Sequence, residues 1–315
     1  MGKLQTLKRL LKSDKKRIAT AIAGNFCNSE FSHIVPDKPY LQYMYKVHIG
    51  KKLNLKNPQT FNEKLQWLKL YNRDPEQVKL VDKYEVKKYI AEVIGEEYVI
   101  PTLGIYDRFE DIDFNVLPDQ FVLKCTHDSG STVICRDKAV FDIAAAQEKL
   151  TRKLKSNLFW FGREWPYKNV RPRIIAEQYM ENGSDKDLND YKFYCFHGDP
   201  KFLYVSHGLS NHATASISFA SLDWKIQPFK RNDFANFKEL PPKPMTFDKM
   251  VELSKVLSAG IPFLRVDFYE INNRLYFGEL TFYPGAGFTA FDPPEWDLTI
   301  GSWIELPPIK KKNKS

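Results

Sequence analysis

The stretch FLRVDFYEINNRLYFGELTFYPGAGF, residues 263–288, constrains this chain more than any other. Two aromatic-rich apolar runs flank a polar Ile-Asn-Asn segment, the pattern of a β-hairpin. Each run nevertheless carries polar groups in its middle: Arg265 and Asp267 in the first, Glu279 and Thr281 in the second. Side chains two apart on a strand share a face, so Arg265 goes with Asp267 and Glu279 with Thr281. Residues directly opposite one another on antiparallel partners also share a face. A turn made only of Asn272–Asn273 sets Asp267 opposite Gly278 and sends Glu279 to the other side. A three-residue connection, Ile271–Asn273, with Asn in a left-handed bulge position, sets Asp267 opposite Phe277 and Arg265 opposite Glu279. All four polar side chains then lie on one face, and this is the register expected here. Two carboxylates on a rigid face need a counter-charge to stay ionised. Arg265 supplies one, and a divalent cation preferring hard oxygen, Mg²⁺, would supply two more. A solvated sheet face with an Arg–Glu surface pair is the alternative.

The hairpin ends a longer progression. Residues 38–98 read mainly helical. TFNEKLQWLKLYN opens with Thr60 and has Glu63 three residues on, a capping-box pattern. Phe61, Leu65, Leu68 and Leu70 then form an apolar stripe. VDKYEVKKYIAEVIG is a second helix, closed by Gly95 at the position after its C-cap. From about residue 98 the texture turns to strands: EYVIPTLGIY, QFVLKCTH and STVICRD, then a helix over 141–155 and the strand RIIAEQYM. An antiparallel meander follows in DYKFYCFHG, PKFLYVSHG and ASISFASLDW, with a helix over 246–259 ahead of the hairpin. Helices, then mixed elements, then antiparallel strands predict an α+β protein in two lobes.

Several stretches suit phosphate chemistry. FVLKCTHDSGSTVI is a strand carrying Lys124, followed by a small-residue loop with Ser129, Gly130 and Ser131. Backbone amides in such a loop form a concave anion site, and a nearby lysine adds charge. Lys87 lies on the VDKYEVKKYI helix. IIAEQYMENGS is an apolar strand breaking into a polar segment whose backbone groups suit a base edge. NDYKFYCFHG places Asp190 and Lys192 on one face. An edge-strand lysine in solvent is the alternative for Lys124. His127 and His197 read as hydrogen-bonded loop residues, and His207 and His212 belong to no motif. Trp160, Phe161, Trp165 and Tyr167 in NLFWFGREWPYKN are either core or a lid facing an acceptor, with Arg163 and Glu164 as acceptor-recognition candidates.

Composition excludes other classes. Apolar residues make up 43% of the 315 and aromatics 14%, which fits a globular protein and not a disordered one. Cys27, Cys125, Cys135 and Cys195 are widely spaced without a CxxC, so reduced thiols are expected and zinc is not. No apolar run approaches membrane-spanning length, and no signal-peptide pattern is present, which predicts a cytoplasmic protein. The net charge of +8 concentrates at the ends. Residues 1–18 place Leu4, Leu7, Leu11 and Ile18 at near-helical spacing among lysines and arginines. They read either as a helix packed on the body or as an interfacial helix in peripheral contact with anionic lipid of the inner membrane. The tail IKKKNKS reads as solvated, and no nucleic-acid motif accompanies the charge.

Taken in order, TFNEKLQW, DKYEVKKYI, GEEYVIPTLG, LPDQFVLKCTHDSG, IIAEQYM, DYKFYCFHG, RVDFY and GELTFYPGAG resemble the ATP-grasp superfamily, and more closely its TupA-like, teichuronopeptide-synthesis branch found with polysaccharide clusters. The resemblance covers roughly residues 57–305. It implies an ATP-grasp fold in which two α/β lobes clasp ATP: a helical N-terminal region (1–80), a small nucleotide-clasping lobe (81–185) and an antiparallel-sheet catalytic lobe (186–315). By the same resemblance Lys87 and Lys124 are the nucleotide-phosphate lysines, beside the loop Ser129, Gly130 and Ser131. Glu177, Gln178, Tyr179 and Met180 are the hinge meeting adenine. Asp190 serves the ribose or orients Lys192, a further phosphate-contacting base. Asp267 and Glu279 are the metal-holding carboxylates, and Arg265 lies near the transferred phosphate. Thr281 stands where many members have Asn as a further metal ligand. Asp128 replaces a usual Gly, and a carboxylate there opposes phosphate unless it points away.

The chemistry implied is ATP-dependent ligation of a carboxylate to an amine through an acyl phosphate, with ATP and Mg²⁺ as cofactors. The polysaccharide kinship points to a glycan or sugar carboxylate as acceptor. A glycosyltransferase is the alternative, since SDKD contains a DxD pattern (Asp185, Asp187), but it leaves Lys124 and its loop without a role. A sugar kinase on the same lobes and a non-catalytic binder of acidic glycan or membrane are two others.

Overall fold

The computed structural model describes residues 24, 26, 29–181, 188–208 and 215–309. The basic segment 1–18, Cys27, the Asp185/Asp187 pair, His212 and residues 310–315 lie outside the described residues.

Helix α1 (Asp37–Ile49) precedes α2 (Phe61–Tyr71), α3 (Glu76–Val81) and α4 (Glu85–Val93). The capping box at α2 is formed: the Thr60 hydroxyl accepts from the Glu63 amide, and the Glu63 carboxylate accepts from the Thr60 amide. This satisfies two amides that a helix start leaves without partners. Of the apolar stripe, Phe61, Leu65 and Leu68 are buried, whereas Leu70 is half-buried and the neighbouring Lys69 is fully buried. Helix α4 ends as expected: Gly95 has φ 126°, where a side chain would also meet the Glu97 carboxylate.

Four strands, β1 (Thr102–Tyr106), β2 (Phe121–Cys125), β3 (Val133–Cys135) and β4 (Ile174–Gln178), form a sheet in the order β1-β4-β2-β3. Helix α5 (Ile143–Leu154) covers it, burying Ala146 and Leu150 against Phe121, Leu123 and Cys125. Lys124 is therefore on an inner strand, and the edge-strand alternative falls. The second sheet has the order β7-β6-β5-β8-β9. Its strands are β5 (Asp190–Phe196), β6 (Asp199–His207), β7 (Ser216–Ser221), β8 (Leu264–Ile271) and β9 (Arg274–Thr281). Every pairing within both sheets is antiparallel. Helix α6 (Phe247–Ser258) packs on one face, with Phe247 against Phe193 at 5.7 Å between ring centroids. Phe193, Val266 and Phe268 point to that apolar side. Helix α7 (Glu295–Ser302) lies against α2. Cys125, Cys135 and Cys195 are free and buried.

The hairpin register differs from expectation. Asn272 and Asn273 have φ 51° and 59°, and Ile271 pairs with Arg274, so the turn has two residues. Left-handed Asn-Asn matches the right-handed twist of the flanking strands. The pairing then slips between Asp267 and Phe268: Phe268 faces Phe277, Asp267 faces Glu279 and Arg265 faces Thr281. Gly278 is the extra residue, a β-bulge. The bulge moves the second half of β9 by one residue and returns Glu279 and Thr281 to the face of Asp267 and Arg265. The four polar side chains do share a face, though by a different construction from the three-residue turn.

Candidate active site

A cleft of about 500 Å³ lies between the two sheets. Four lysines line it: Lys83, Lys87, Lys124 and Lys192. The first two flank the start of α4, the third is on β2 and the fourth is on β5.

Strand register explains the small-lobe side. Val122 pairs with Glu177, and Lys124 is two residues from Val122, so Lys124 and Glu177 share a face. Glu177 is buried and bridges two lysines, with Lys87 Nζ 2.6 Å from Oε1 and Lys124 Nζ 2.5 Å from Oε2. Lys87 also donates to the Ile100 carbonyl at 2.6 Å. Burial works to raise the Glu177 pKa, but Lys124 and Lys87 hold it below the usual carboxylate range. Burial pushes Lys87 down, with Glu177 opposing. The side chain of Glu177 thus positions the two lysines, and the residue lines the cleft beside the rest of the expected hinge. Gln178, Tyr179 and Met180 do line the cleft. The Tyr179 hydroxyl accepts from Arg136 at 3.1 Å.

The small-residue loop is braced from within. Ser131 is buried; its hydroxyl accepts from the Cys125 amide at 2.8 Å and donates to Asp128 Oδ1 at 2.6 Å. Lys153 Nζ lies 3.6 Å from Asp128 Oδ2. The Asp128 carboxylate is therefore turned toward Ser131 and Lys153 and is buried. Ser129 and Gly130 line the cleft, but Ser131, expected to do so, serves as the loop's internal post. Lys83 donates to the Asp128 carbonyl. Burial pushes its pKa down, while Glu279 opposes this and Lys124 adds to it. Lys83 had no assigned role in the sequence; its place two residues before α4, between the loop and β9, is what brings it in. His127 Nε2 meets the carbonyls of Lys153 and Ser156, in keeping with a loop histidine.

On the large sheet, register aligns one polar face. Lys192 pairs with Asp267 and Tyr204, Asp190 with Ser206, Asp267 with Glu279, and Arg265 with Thr281. Lys192 Nζ donates to Asp190 Oδ1 at 2.9 Å and to Asp267 Oδ2 at 2.8 Å. Ser206 donates to the other Asp190 oxygen at 3.2 Å. These bonds favour the reading of Asp190 as the group that orients Lys192. Arg265 makes a fork to Asp267, at 2.7 and 2.6 Å, and reaches Glu279 Oε1 at 2.6 Å. Thr281 donates to the same Glu279 oxygen at 3.2 Å. Burial opposes the ammonium of Lys192, yet Asp190 and Asp267 raise its pKa well above normal. Burial likewise pushes Asp267 up, with Arg265 and Lys192 pulling against it. Glu279 is different: its side chain keeps 46% exposure. Burial works to raise it, but Arg265, Lys192 and Lys83 bring it down to about 2.

The family model described as TupA-like ATPgrasp matches residues 63–305. The chain belongs to that family. The expected ATP-grasp fold goes with this membership. No curated protein matches the chain. Among solved structures, a D-alanine–D-alanine ligase from Bacillus anthracis complexed with ATP is similar at 16% identity and TM-score 0.36, covering 64% of this chain and 54% of that one. D-cycloserine synthetase DcsG is similar at 13% identity and TM-score 0.38, covering 84% and 77%. ATP-grasp ligase PsnB complexed with a phosphomimetic variant of its minimal precursor, Mg and ADP is similar at 11% identity and TM-score 0.39, covering 75% and 65%. The chain thus spans little more than half of the first of these ligases.

The ATP-grasp chain presents five cations in and behind the cleft, Lys83, Lys87, Lys124, Lys192 and Arg265, against the carboxylates of Glu177, Asp190, Asp267 and Glu279. Such a set suits a polyphosphate. The donors also fit a hard divalent cation: Glu279 is half-exposed and held ionised, and each carboxylate oxygen offers two lone pairs. Asp267 is buried with both oxygens already bonded, so Glu279 is the better-placed metal ligand, with the Thr281 hydroxyl beside it. Arg163, expected as an acceptor-recognition candidate, is fully buried, stacked 4.0 Å over the Tyr40 ring and paired with Asp37; it clamps α1 and does not line the cleft. Trp160 stacks on His33 and Trp165 lies under Arg73, so these two belong to the packing.

Proposed function

We propose that this ATP-grasp protein joins a carboxylate to an amine at the expense of ATP, with a carboxylate on a surface polysaccharide or its sugar precursor as one substrate and an amino acid or amine as the other. The observation that carries the reading is the convergence of four lysines and the Arg265–Asp267–Glu279 group on one cleft. A carboxylate is a poor electrophile because its leaving group is oxide. Phosphoryl transfer to it gives an acyl phosphate, which an amine opens. That chemistry asks for positioning and charge neutralisation more than for a covalent protein intermediate.

Lys87 and Lys124, pre-set by Glu177, would hold nucleotide phosphates, and the Ser129–Gly130 backbone would contribute amides. Lys192 and Arg265 would face the transferring phosphoryl group. Glu279, Asp267 and Thr281 would hold Mg²⁺, which when bound would neutralise charge on the phosphates. No helix among the described residues is long and apolar enough to cross a membrane. A cytoplasmic setting with the basic N-terminal segment at the membrane surface remains part of the proposal.

The test is a screen of uronic acids against amino acids with ATP and magnesium, scored by released phosphate. A ligase forms ADP, phosphate and one new amide, and oxygen-18 from the carboxylate appears in the phosphate. Phosphate retained on the sugar, or sugar transfer without ATP, would sink the ligase reading.

A further inference from the structure

Asp128 puts a negative charge in the loop that is to hold phosphate, and the structure shows what balances it. The loop joins β2 to β3, and Asp128, Ser129, Gly130 and Thr132 all line the cleft. The Asp128 side chain is nevertheless only 3% exposed. Its Oδ1 accepts from the Ser131 hydroxyl at 2.6 Å. Its Oδ2 is sealed from solvent and accepts no hydrogen bond among the described residues. The ion-pair partner of that oxygen is Lys153 Nζ, 3.6 Å away. A carboxylate this deeply buried needs such a counter-charge to stay ionised.

Helix geometry explains why a lysine stands there. Ala146 and Leu150, four residues apart on α5, bury one face of the helix against β2. Lys149 and Lys153 form a parallel row at the same spacing, and this row runs along the loop. Lys149 Nζ donates to the Thr132 carbonyl at 2.8 Å, and Lys153 Nζ donates to the Ser129 carbonyl at 3.2 Å. The Asp128 carbonyl is taken by Lys83. The end of the helix is itself tied to the loop, because His127 Nε2 bonds the carbonyls of Lys153 and Ser156 at 3.2 and 3.1 Å. Three loop carbonyls are thus held by ammonium groups. The amides of Ser129, Gly130 and Ser131, by contrast, donate to no acceptor among the described residues. A loop with its carbonyls taken by cations and its amides left over is set up to receive an anion.

We propose that Lys153 is a positioning residue of the nucleotide site: it neutralises Asp128 and holds the Ser129 carbonyl, so that the loop offers its amides to a nucleoside triphosphate. The proposal rests on the reading of the cleft as an ATP site. Lys153 need not touch the nucleotide to do this. Paired, Asp128 and Lys153 carry no net charge toward the phosphates. With Lys153 removed, the Asp128 charge stands unbalanced in the same loop and repels them, and the Ser129 peptide loses the bond that sets its orientation. With Asp128 neutralised instead, the Lys153 charge is left over and attracts them.

The experiment uses the full chain as parent, Lys153→Met, Asp128→Asn and the double variant. Asn keeps an Oδ1 that can accept from Ser131 and removes only the charge. Calorimetric titration with a non-hydrolysable ATP analogue and magnesium gives the triphosphate affinity, and displacement of that analogue gives the affinity for AMP. Lys153→Met is expected to raise the analogue Kd by about tenfold, the factor for one lost charge contact, and to change the AMP Kd by less than about twofold. Asp128→Asn should lower the analogue Kd by about threefold, since it leaves a net positive charge beside the phosphates. The double variant should return to within about threefold of the parent, because the charge that repels is gone. Should Lys153→Met not fold, the Asp128→Asn arm carries the test. An unchanged analogue Kd in Lys153→Met would overturn the role of Lys153, as would equal losses for the analogue and AMP. A double variant no better than Lys153→Met, or an Asp128→Asn variant that binds the analogue no more tightly than the parent, would overturn it too. A parent that binds no nucleotide would overturn the reading of the cleft as an ATP site, and this proposal with it.

Discussion

Replacing Glu177 by Gln tests how the cleft is held before nucleotide arrives. The carboxylate is buried, with a side-chain exposure of 6%, and bridges Lys87 at 2.6 Å and Lys124 at 2.5 Å. Removing one partner of a buried ion pair costs about 3–5 kcal/mol, because it strands the other charge. Here two ammonium groups are stranded at once, but Gln keeps one carbonyl acceptor worth about 1 kcal/mol. Lys87 also retains its bond to the Ile100 carbonyl. The expected loss is therefore roughly 2–4 kcal/mol in the ligand-free protein.

Urea unfolding of parent and Glu177→Gln, with and without a non-hydrolysable ATP analogue, measures this. If the lysines hold phosphate, its negative charge replaces that of Glu177, and the stability gap narrows at saturating nucleotide. A pH series adds a sign. The Glu177 pKa is depressed in the folded state, so its contribution is present above the ordinary carboxylate pKa and is lost as pH falls through the lowered value. The gap must shrink in acid. A gap below about 0.5 kcal/mol, the usual scatter of a surface substitution, would refute the bridging role. A gap of the expected size that nucleotide leaves unchanged would instead refute phosphate binding by Lys87 and Lys124.

Lys124→Met should weaken nucleotide binding by roughly 1.5–3 kcal/mol, the worth of one charge-assisted contact, read by calorimetric titration. Glu279→Gln should abolish turnover while nucleotide binding persists. Because Glu279 is held at about 2, its contribution is present above the ordinary carboxylate pKa and lost as pH falls toward that value. Thermal melts from pH 5 to 2 should therefore fall more steeply for the parent than for this variant. Lys69→Met strands the buried Gln66 Oε1 and the Gly162 carbonyl, while the Ala286 carbonyl keeps Gln66 Nε2, with an expected cost of roughly 2–6 kcal/mol in urea unfolding.

The elements were legible because their signals are local. Thr60 and Glu63 announce α2, Gly95 closes α4, and alternation marks the strands. The polar face of the hairpin was legible too, although its register was not. A three-residue turn and a two-residue turn with a bulge both restore the same alternation, and only backbone geometry at Gly278 separates them. A side chain at Gly278 would come within 3.1 Å of the Asp267 carbonyl, a crowding that no pattern rule encodes. The way Asp128 turns toward Ser131 was not legible, because it depends also on Lys153 near the end of α5, 25 residues along the chain. Lys69 was hidden for a similar reason. Lysines are rarely fully buried, and the acceptors that permit it lie 93 and 217 residues away.

Lys83 is where these pairings leave charge over. Lys87 and Lys124 have Glu177, and Lys192 has Asp190 and Asp267. Among the described residues, Lys83 is the cleft lysine without a carboxylate in ion-pair contact; its bond goes to the Asp128 carbonyl. Burial depresses its pKa, and the charge opposing that most is Glu279, on the other sheet. An incoming phosphate therefore gains more at Lys83 than at a lysine already neutralised, since no existing ion pair has to be given up. If the triphosphate lies as proposed, the place of Lys83 between the Ser129–Gly130 loop and Glu279 sets it toward the transferring end, whereas Lys87 reaches back to Ile100. Lys83→Met should then cost roughly 1.5–3 kcal/mol in triphosphate binding, about ten- to a hundredfold in Kd. The monophosphate should lose much less. Calorimetric titration of the variant with an ATP analogue and with AMP makes the comparison. Equal losses for the two nucleotides would place Lys83 away from the terminal phosphates, and no loss for either would make it a brace of the loop.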